Sequence, residues 1–545
     1  MSESRSTRVS EIIREYDLTN AGSVRSQLAL IKNMYRDRYS GLIESIPGYR
    51  RLVTTDEKIY SLCLTSLNRE RCVIYHKGKE LRAISIDTGK DRLILNIADR
   101  QSRIFGLNGR CFITDGEALY CYDGSLSSVI SKDEFLVNCR DIALFDGRLF
   151  IASGNRIYYS SRLGEGEALI SPEDFITTEG QVVGLVSDGD HRWVSDKYGL
   201  LCYGREYGYP LLRRIVGIRP TGQAVMTDGK LLLLTPDGPM VIDNCQRPCD
   251  AEVKRLYNKA LSLFSKEDME NACLCSFEGY TAICLDSRIL LLDLSDVKGE
   301  CFLISDVGSY KGDRRVYRYS AEAENGFSTH KEPHSPAVSE VMSIITRDKK
   351  TVYYTEEDEK VYSVYPTEER WGGKLCPAEK FACGEGLLCF STEVGIMLFN
   401  NDMRGSSQSA ITDKVNEYSS GRWIPPSYYS FDAHAVEYSI ITEYDDAGMP
   451  FTEKSSSGES LTFRLIAANP LSLSVRVMTD RGEAIRQKAY CKKMNKDGKS
   501  PIPVIIKLQE MASGWLEKRL AIRIDGFCAP FAICSIAFKF QQRKN

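Results

Sequence analysis

Histidine is scarce in this 545-residue chain, with five copies at positions 76, 191, 330, 334 and 434. That leaves little imidazole for a metal centre or a general base. An excess of one charge is also missing, since 71 Lys and Arg stand against 74 Asp and Glu for a net charge of −3. A sequence-specific nucleic-acid binder carries a one-signed basic face, and none is expected here. No run reaches the roughly 18 apolar residues of a spanning helix, so membrane insertion is not expected. Residues 1–20 (MSESRSTRVSEIIREYDLTN) carry no apolar stretch of the kind that directs secretion. Gly-rich phosphate loops, G-x-S-x-G and H-E-x-x-H are absent as well. The expectation is a non-enzyme, with no catalytic, cofactor-binding or metal residue to assign and no cofactor.

Cysteine is plentiful, with 18 copies, many inside apolar runs such as Cys111-Phe112-Ile113, Leu201-Cys202-Tyr203 and Leu388-Cys389-Phe390. A reduced thiol packs as a small hydrophobe, which points to a reducing, cytosolic site of synthesis. The densest group is Cys245 and Cys249 (CQRPC) with Cys273, Cys275 and Cys284. Its CxxxC and CxC spacings match structural zinc poorly, and core or surface thiols are the simpler reading. His330 and His334 have the i,i+4 spacing of a helical zinc pair, but Pro333 between them breaks or kinks such a helix, so a solvated loop is expected. Acidic clusters at Glu356–Glu359 and Asp445-Asp446 read as wet turns. The 29 tyrosines include many at strand positions, where packing accounts for most of them.

Hydrophobic residues make up 43% of the chain and charged residues 27%, which suits a folded protein with a sizeable core. Three regions differ in texture. In residues 1–52, Leu28, Ile31 and Tyr35 repeat at helical spacing, and an extended arm follows around Pro47-Gly48. Nine Lys/Arg against six Asp/Glu in residues 1–51 read as a solvated face or as an arm touching an acidic surface. From residue 53 to 430, strand–turn–strand units recur. They begin at Cys72, Cys111, Leu149, Arg192, Lys230, Thr281, Thr351 and Leu387, mostly some 35–50 residues apart, the length of a four-stranded propeller blade. The 70-residue gap before Thr351 holds a polar stretch, Tyr310–Pro336, that reads as an insertion or long loop. A short helix is expected near Ala251–Lys266.

Beyond residue 431, after a loop at Ser455–Gly458, Leu471, Leu473, Val475 and Val477 alternate with polar residues, as do Leu520, Ile522 and Ile524 with Ala521 and Arg523. Period-two patterning puts one face in a core and one in water. The expected fold is therefore mostly β: an N-terminal helical and extended arm (1–52), a β-propeller of six to eight blades with seven the best fit (53–430), and a C-terminal β-sandwich (431–545). A sandwich pair or a solenoid also gives regular hairpins. Closure favours the propeller, because a ring leaves few exposed strand edges.

Several segments resemble a known family. IESIPGYRRL (Ile43–Leu52) resembles the "PG-[FY]-R" segment of tailed-phage virion propeller proteins, and Ala143–Ile176 (ALFDGRLFIASGNRIYYSSRLGEGEALISPEDFI) their "RLF … N-R-[IV]-Y-Y-S" line. Gly217–Ile242 and Arg519–Phe540 are similar to a following blade and to the closing strands. The resemblance implies a neck, tail or "stabilization" protein of a bacteriophage. Such a protein binds portal, neck and tail or fibre proteins as a cyclic homo-oligomer in the virion and is assembled in the bacterial host cytoplasm. It brings no catalytic residues. The alternatives are a bacterial propeller serving as an interaction or carbohydrate-binding scaffold, and a polysaccharide-acting propeller enzyme with carboxylates drawn from separate blades.

Overall fold

The computed structural model describes residues 10–17, 28–38, 41–107, 109–163, 170–187, 191–204, 213–215, 220, 224–227, 229–243, 245, 252–255, 272–294, 301–311, 316–323, 342–345, 351–357, 360–370, 374–403, 431, 436–446, 454–467, 471–479, 482–491, 503–509, 519–527 and 531–542. Among them the regular structure is almost entirely β-strand, and the helical pieces are short 3-10 turns at Glu134–Asn138 and Asn400–Met403.

The recurring unit is an antiparallel hairpin whose turn demands positive φ. Asp146-Gly147 (49° and 70°), Glu278-Gly279 (51° and 75°) and Glu385-Gly386 (53° and 74°) each supply two such residues in succession. That is the backbone twist that joins two strands of a right-twisted sheet with a two-residue loop. Ile59–Leu67, Glu70–Lys77, Glu80–Ser85 and Asp91–Asn96 pair in chain order into a four-stranded sheet. The same up-and-down order recurs in the sheets that start at Arg103, Cys139, Val182 and Ala224. Cys273–Phe277 opens another, and Lys380–Gly384, Leu387–Thr392 and Gly395–Phe399 form the last.

The first strands of these sheets lie side by side in a cycle. Ile59–Leu67 packs against Arg103–Leu107, which neighbours Cys139–Phe145, then Val182–Ser187, Ala224–Thr227, Cys273–Phe277 and Lys380–Gly384, which returns to Ile59–Leu67. Sheets arranged radially around a shared axis are a β-propeller. Each first strand pairs on one side only, so its outer backbone edge faces the axis. Two glycines let these inner strands converge. A Cβ at Gly384 would collide with the Leu64 carbonyl oxygen, and one at Gly106 with the Thr65 side chain.

The N-terminal segment completes sheets that the rest of the chain leaves open. Tyr49–Thr54 pairs with Gly395–Phe399 and is the outer strand of the Lys380 sheet. Leu28–Lys32 lies between Cys301–Ser305, to which it is parallel, and Glu437–Thr442, to which it is antiparallel. The Cys273 sheet thereby runs on through Glu437–Thr442, Leu520–Phe527, Leu471–Thr479 and Gly482–Cys491 as one nine-stranded sheet. Met34–Arg36 and Ile43–Ser45 join a second C-terminal sheet with Phe531–Gln542, Lys454–Ala467 and Pro503–Gln509, and Ser10–Asp17 also pairs with Phe531–Gln542. Side chains from both sheets, among them Ile43, Ile533 and Ile536 with Ile440, Val475 and Ile524, meet in one buried cluster that also takes in Phe277, Phe390 and Phe399 of the ring. Leu473, Val475 and Val477 are buried and alternate with half-buried Ser474 and Arg476, the expected pattern.

Tyr49 pins this junction. It is fully buried, stacks on Phe431 at 4.4 Å between ring centroids and meets Phe390 and Phe399 edge-on. Its hydroxyl donates to the Gly308 carbonyl (2.6 Å) and accepts from the Gly308 N–H (2.9 Å).

Four expectations are corrected. The helical spacing of Leu28, Ile31 and Tyr35 belongs to two strands, Leu28–Lys32 and Met34–Arg36. Leu28 and Ile31 fall three apart because the strand's register shifts between Leu28 and Leu30, and Asn33, at φ 57°, breaks the alternation between Ile31 and Tyr35. Asn33 is held there because its amide donates to the Glu437 carbonyl (2.7 Å) while its side-chain oxygen accepts from the Ser305 N–H (2.8 Å). The helix expected near Ala251–Lys266 is a strand at Glu252–Arg255, and residues 256–266 lie outside the described ones. Ser455–Gly458 is part of the strand Lys454–Ala467, whose register shifts between Ser456 and Leu461, so a bulge explains the loop-like composition. The Thr351 hairpin belongs to a separate sheet with Val316–Ala323 and Met342–Ile345, outside the cycle of inner strands. A hairpin has the same sequence signature whichever sheet receives it.

Candidate functional site: the mouth of the ring

A cavity of about 760 Å³ opens where the inner strands begin. Its wall is drawn from almost every sheet of the ring: Tyr60–Leu62, Gln101–Phe105, Arg140, Gln181 and Val183, then Ala272 and Cys273 with Cys284–Asp286, and Glu379–Phe381. Strand starts converge there because each sheet presents its first strand to the axis. A smaller cavity of about 260 Å³ lies between the Arg103 and Cys139 sheets and shares Gln101, Arg103 and Arg140 with the first.

The wall is anchored by polar ties between neighbouring sheets. His76, in the second strand of the Ile59 sheet, is fully buried, and its Nδ1 lies 2.8 Å from Ser102 Oγ just ahead of the Arg103 strand. Ser102 Oγ is in turn 2.6 Å from Ser61 Oγ, which faces the cavity. The Tyr60 ring packs on His76 at 4.9 Å, and its hydroxyl donates to Asp99 (2.7 Å). Burial lowers the pKa of His76 and keeps the ring neutral. The Gln101 amide donates to the Tyr60 and Ser102 carbonyls, at 2.9 and 3.1 Å.

The next sheets are tied in the same manner. Buried Asp141 accepts from the Ile142 N–H (2.9 Å) and, across the sheet boundary, from the Leu185 N–H (2.7 Å). Its burial pushes the carboxyl up to about 6, against the lowering by those two N–H groups and by Arg103. Arg192 crosses the same boundary inside an aromatic box, its guanidinium carbon 3.9 Å from the centre of Phe150, 4.8 Å from Tyr203 and 5.1 Å from Phe145. Desolvation brings its pKa down to about 10.

Two arginines stand on one side of the mouth, and two carboxylates with a lysine on the other. Arg103 and Arg140 stand on adjacent sheets, and the Arg103 guanidinium donates to the Arg140 carbonyl (2.7 Å). Asp286 and Glu379, with Lys380, stand on the Cys273 and Lys380 sheets across the ring. Arg140, Asp286, Glu379 and Lys380 are exposed, and their side chains make no ion pair among the described residues.

The thiols are distributed through the core. Cys275 and Cys284 lie 3.4 Å apart, sulfur to sulfur, across one hairpin, and Cys273 is the residue paired with Cys284. The hydrogen bond with Cys284, and burial with it, hold the Cys275 thiol well above its ordinary range, while burial pushes Cys273 up to about 12. Protonated thiols are weak metal ligands and weak nucleophiles. Cys245 is packed in a different core, with Trp193 and Leu231, and so does not join the Cys273, Cys275 and Cys284 thiols. Cys249, His330, His334 and His434 lie outside the described residues. Among the described residues no group of three or more His, Cys, Asp or Glu side chains is placed to hold a metal ion, and no helix is long and apolar enough to cross a membrane.

No single residue of the sequence marks the mouth. Arg103, Arg140 and Lys380 are single basic residues at strand starts, and nothing short of ring closure brings them together.

No protein-family profile matches the chain, and no curated protein matches its sequence. In structure it is similar to solved propellers. BamB from Moraxella catarrhalis shares 9% identity at a TM-score of 0.32, covering 72% of this chain and 96% of its own. Hsv2 of Kluyveromyces lactis shares 11% at 0.32, covering 58% and 99%. The AfRom2 CNH domain shares 11% at 0.33, covering 60% and 100%. Identities this low say nothing of function.

Proposed function

We propose that the chain is a non-enzymatic assembly protein of a tailed bacteriophage, a neck or tail component of the virion that binds portal and tail or fibre proteins. The observation that carries the assembly reading is the weave of residues 28–54 through the ring and both C-terminal sheets. That weave ties propeller and C-terminal region through shared strands, and a rigid platform loses little ordering entropy when it binds. The phage assignment leans on the resemblance of Ile43–Leu52, Ala143–Ile176, Gly217–Ile242 and Arg519–Phe540.

On this reading the ring has seven blades, the Lys380 blade closed by Tyr49–Thr54. The two C-terminal sheets form a β-sandwich around the core they share. Copies associate head to tail into a closed ring in the particle, since a heterologous interface that closes gives cyclic symmetry. The test is light scattering and electron microscopy of the purified chain, alone and mixed with a portal ring. Cyclic oligomers or portal-bound particles are expected. A chain that stays monomeric at high concentration and ignores portal and tail proteins would sink the proposal.

A further inference from the structure

We infer that the mouth of the ring is a docking site for a short peptide segment of a partner protein that carries both acidic and basic side chains. The inference is independent of the phage assignment and concerns any partner.

Three observations converge on it. The cavity, about 760 Å³, falls within the range of roughly 300–1,000 Å³ typical of pockets that enclose small ligands. Its wall includes the unpaired edges of inner strands such as Ile59–Leu67 and Arg103–Leu107, apart from carbonyls such as those of Tyr60 and Arg140, which already accept from Gln101 and Arg103. A peptide matches such edges with its own backbone. Finally, Arg103 and Arg140 line the mouth on two adjacent sheets, and Asp286, Glu379 and Lys380 line it on two sheets farther round the ring.

The division of charge selects the occupant. A polyanion such as single-stranded nucleic acid gains from Arg103 and Arg140 but meets Asp286 and Glu379 at the opposite wall, where like charges repel. An apolar ligand would strip water from five charged groups and return nothing. A peptide with a carboxylate toward Arg103 and Arg140 and an amine or guanidinium toward Asp286 and Glu379 satisfies both walls at once.

The experiment presents the full chain with labelled hexapeptides containing two Glu, two Lys and two Gly in every order. All-Glu and all-Lys hexapeptides and a ten-nucleotide oligothymidylate serve as comparisons. Mixed-charge peptides with the two signs segregated are expected to bind best. Arg140→Glu and Glu379→Lys are each expected to weaken the best binders tenfold or more, with unchanged melting because both residues are exposed. Equal binding by the variants, absence of any binding to mixed-charge peptides, or a preference for all-Glu peptide or oligothymidylate would overturn the inference. Ring formation measured on the same variants separates this outcome from the assembly proposal, because loss of one leaves the other standing.

Discussion

His76 and Asp141 each bury an ionisable group at a boundary between sheets, and they respond to pH in opposite senses. The folded pKa of His76 is lowered below its ordinary 6.5, so the unfolded chain takes up the proton first. The stability this group confers is complete above 6.5 and is lost as pH falls below that value. Urea melts of His76→Asn are expected to show a weaker pH dependence below 6.5 than the parent. Asp141 is the reverse case: its folded pKa of about 6 exceeds the ordinary 3.8. Its contribution is complete below 3.8 and is lost as pH rises through about 6. Asp141→Asn is expected to abolish that slope. The variant also loses stability at low pH, where its amide turns a donor toward the Leu185 or Ile142 N–H. Tyr49→Phe keeps the ring stack but leaves the buried Gly308 N–H and C=O without the hydroxyl. A loss of about 1–3 kcal/mol in denaturant midpoint analysis is expected.

Inner strands and hairpins set the next scale. Gly384→Ala places a methyl group against the Leu64 carbonyl, backbone on backbone, with no flexible side chain able to yield. The expected loss is about 1–3 kcal/mol, as for other overpacked cores, read from the melting temperature. Gly386→Ala meets open space yet sits at φ 74° and is expected to lose a smaller amount through backbone strain alone. At this scale the sequence was informative about pairs of strands, because a turn such as Asp146-Gly147 and its flanking alternation are local. It was silent on which sheet a pair enters, since that depends on partners far along the chain. The Thr351 hairpin shows the first limit, and in Leu28–Tyr35 a register shift after Leu28 and the bend at Asn33 together imitate helical spacing. The mouth was illegible for the same cause on a larger scale. Arg103, Arg140, Asp286 and Glu379 are ordinary surface residues until the ring closes.

The whole molecule is joined through its N-terminal strands, so propeller and C-terminal sheets share one core cluster. Removing residues 1–48 deletes Leu28–Lys32 and Ile43–Ser45 from both C-terminal sheets while leaving Tyr49–Thr54 to close the ring. Such a chain is expected to keep protease-resistant ring fragments and to lose the C-terminal region to limited digestion, whereas the parent resists throughout. Tyr49–Thr54 waits for Gly395–Phe399, Leu28–Lys32 for Glu437–Thr442, and Ile43–Ser45 for Phe531–Gln542. Residues 28–54 are thus made long before the strands that receive them. Until Phe531–Gln542 has been made, the nascent chain carries unmated strands that invite pairing with other chains.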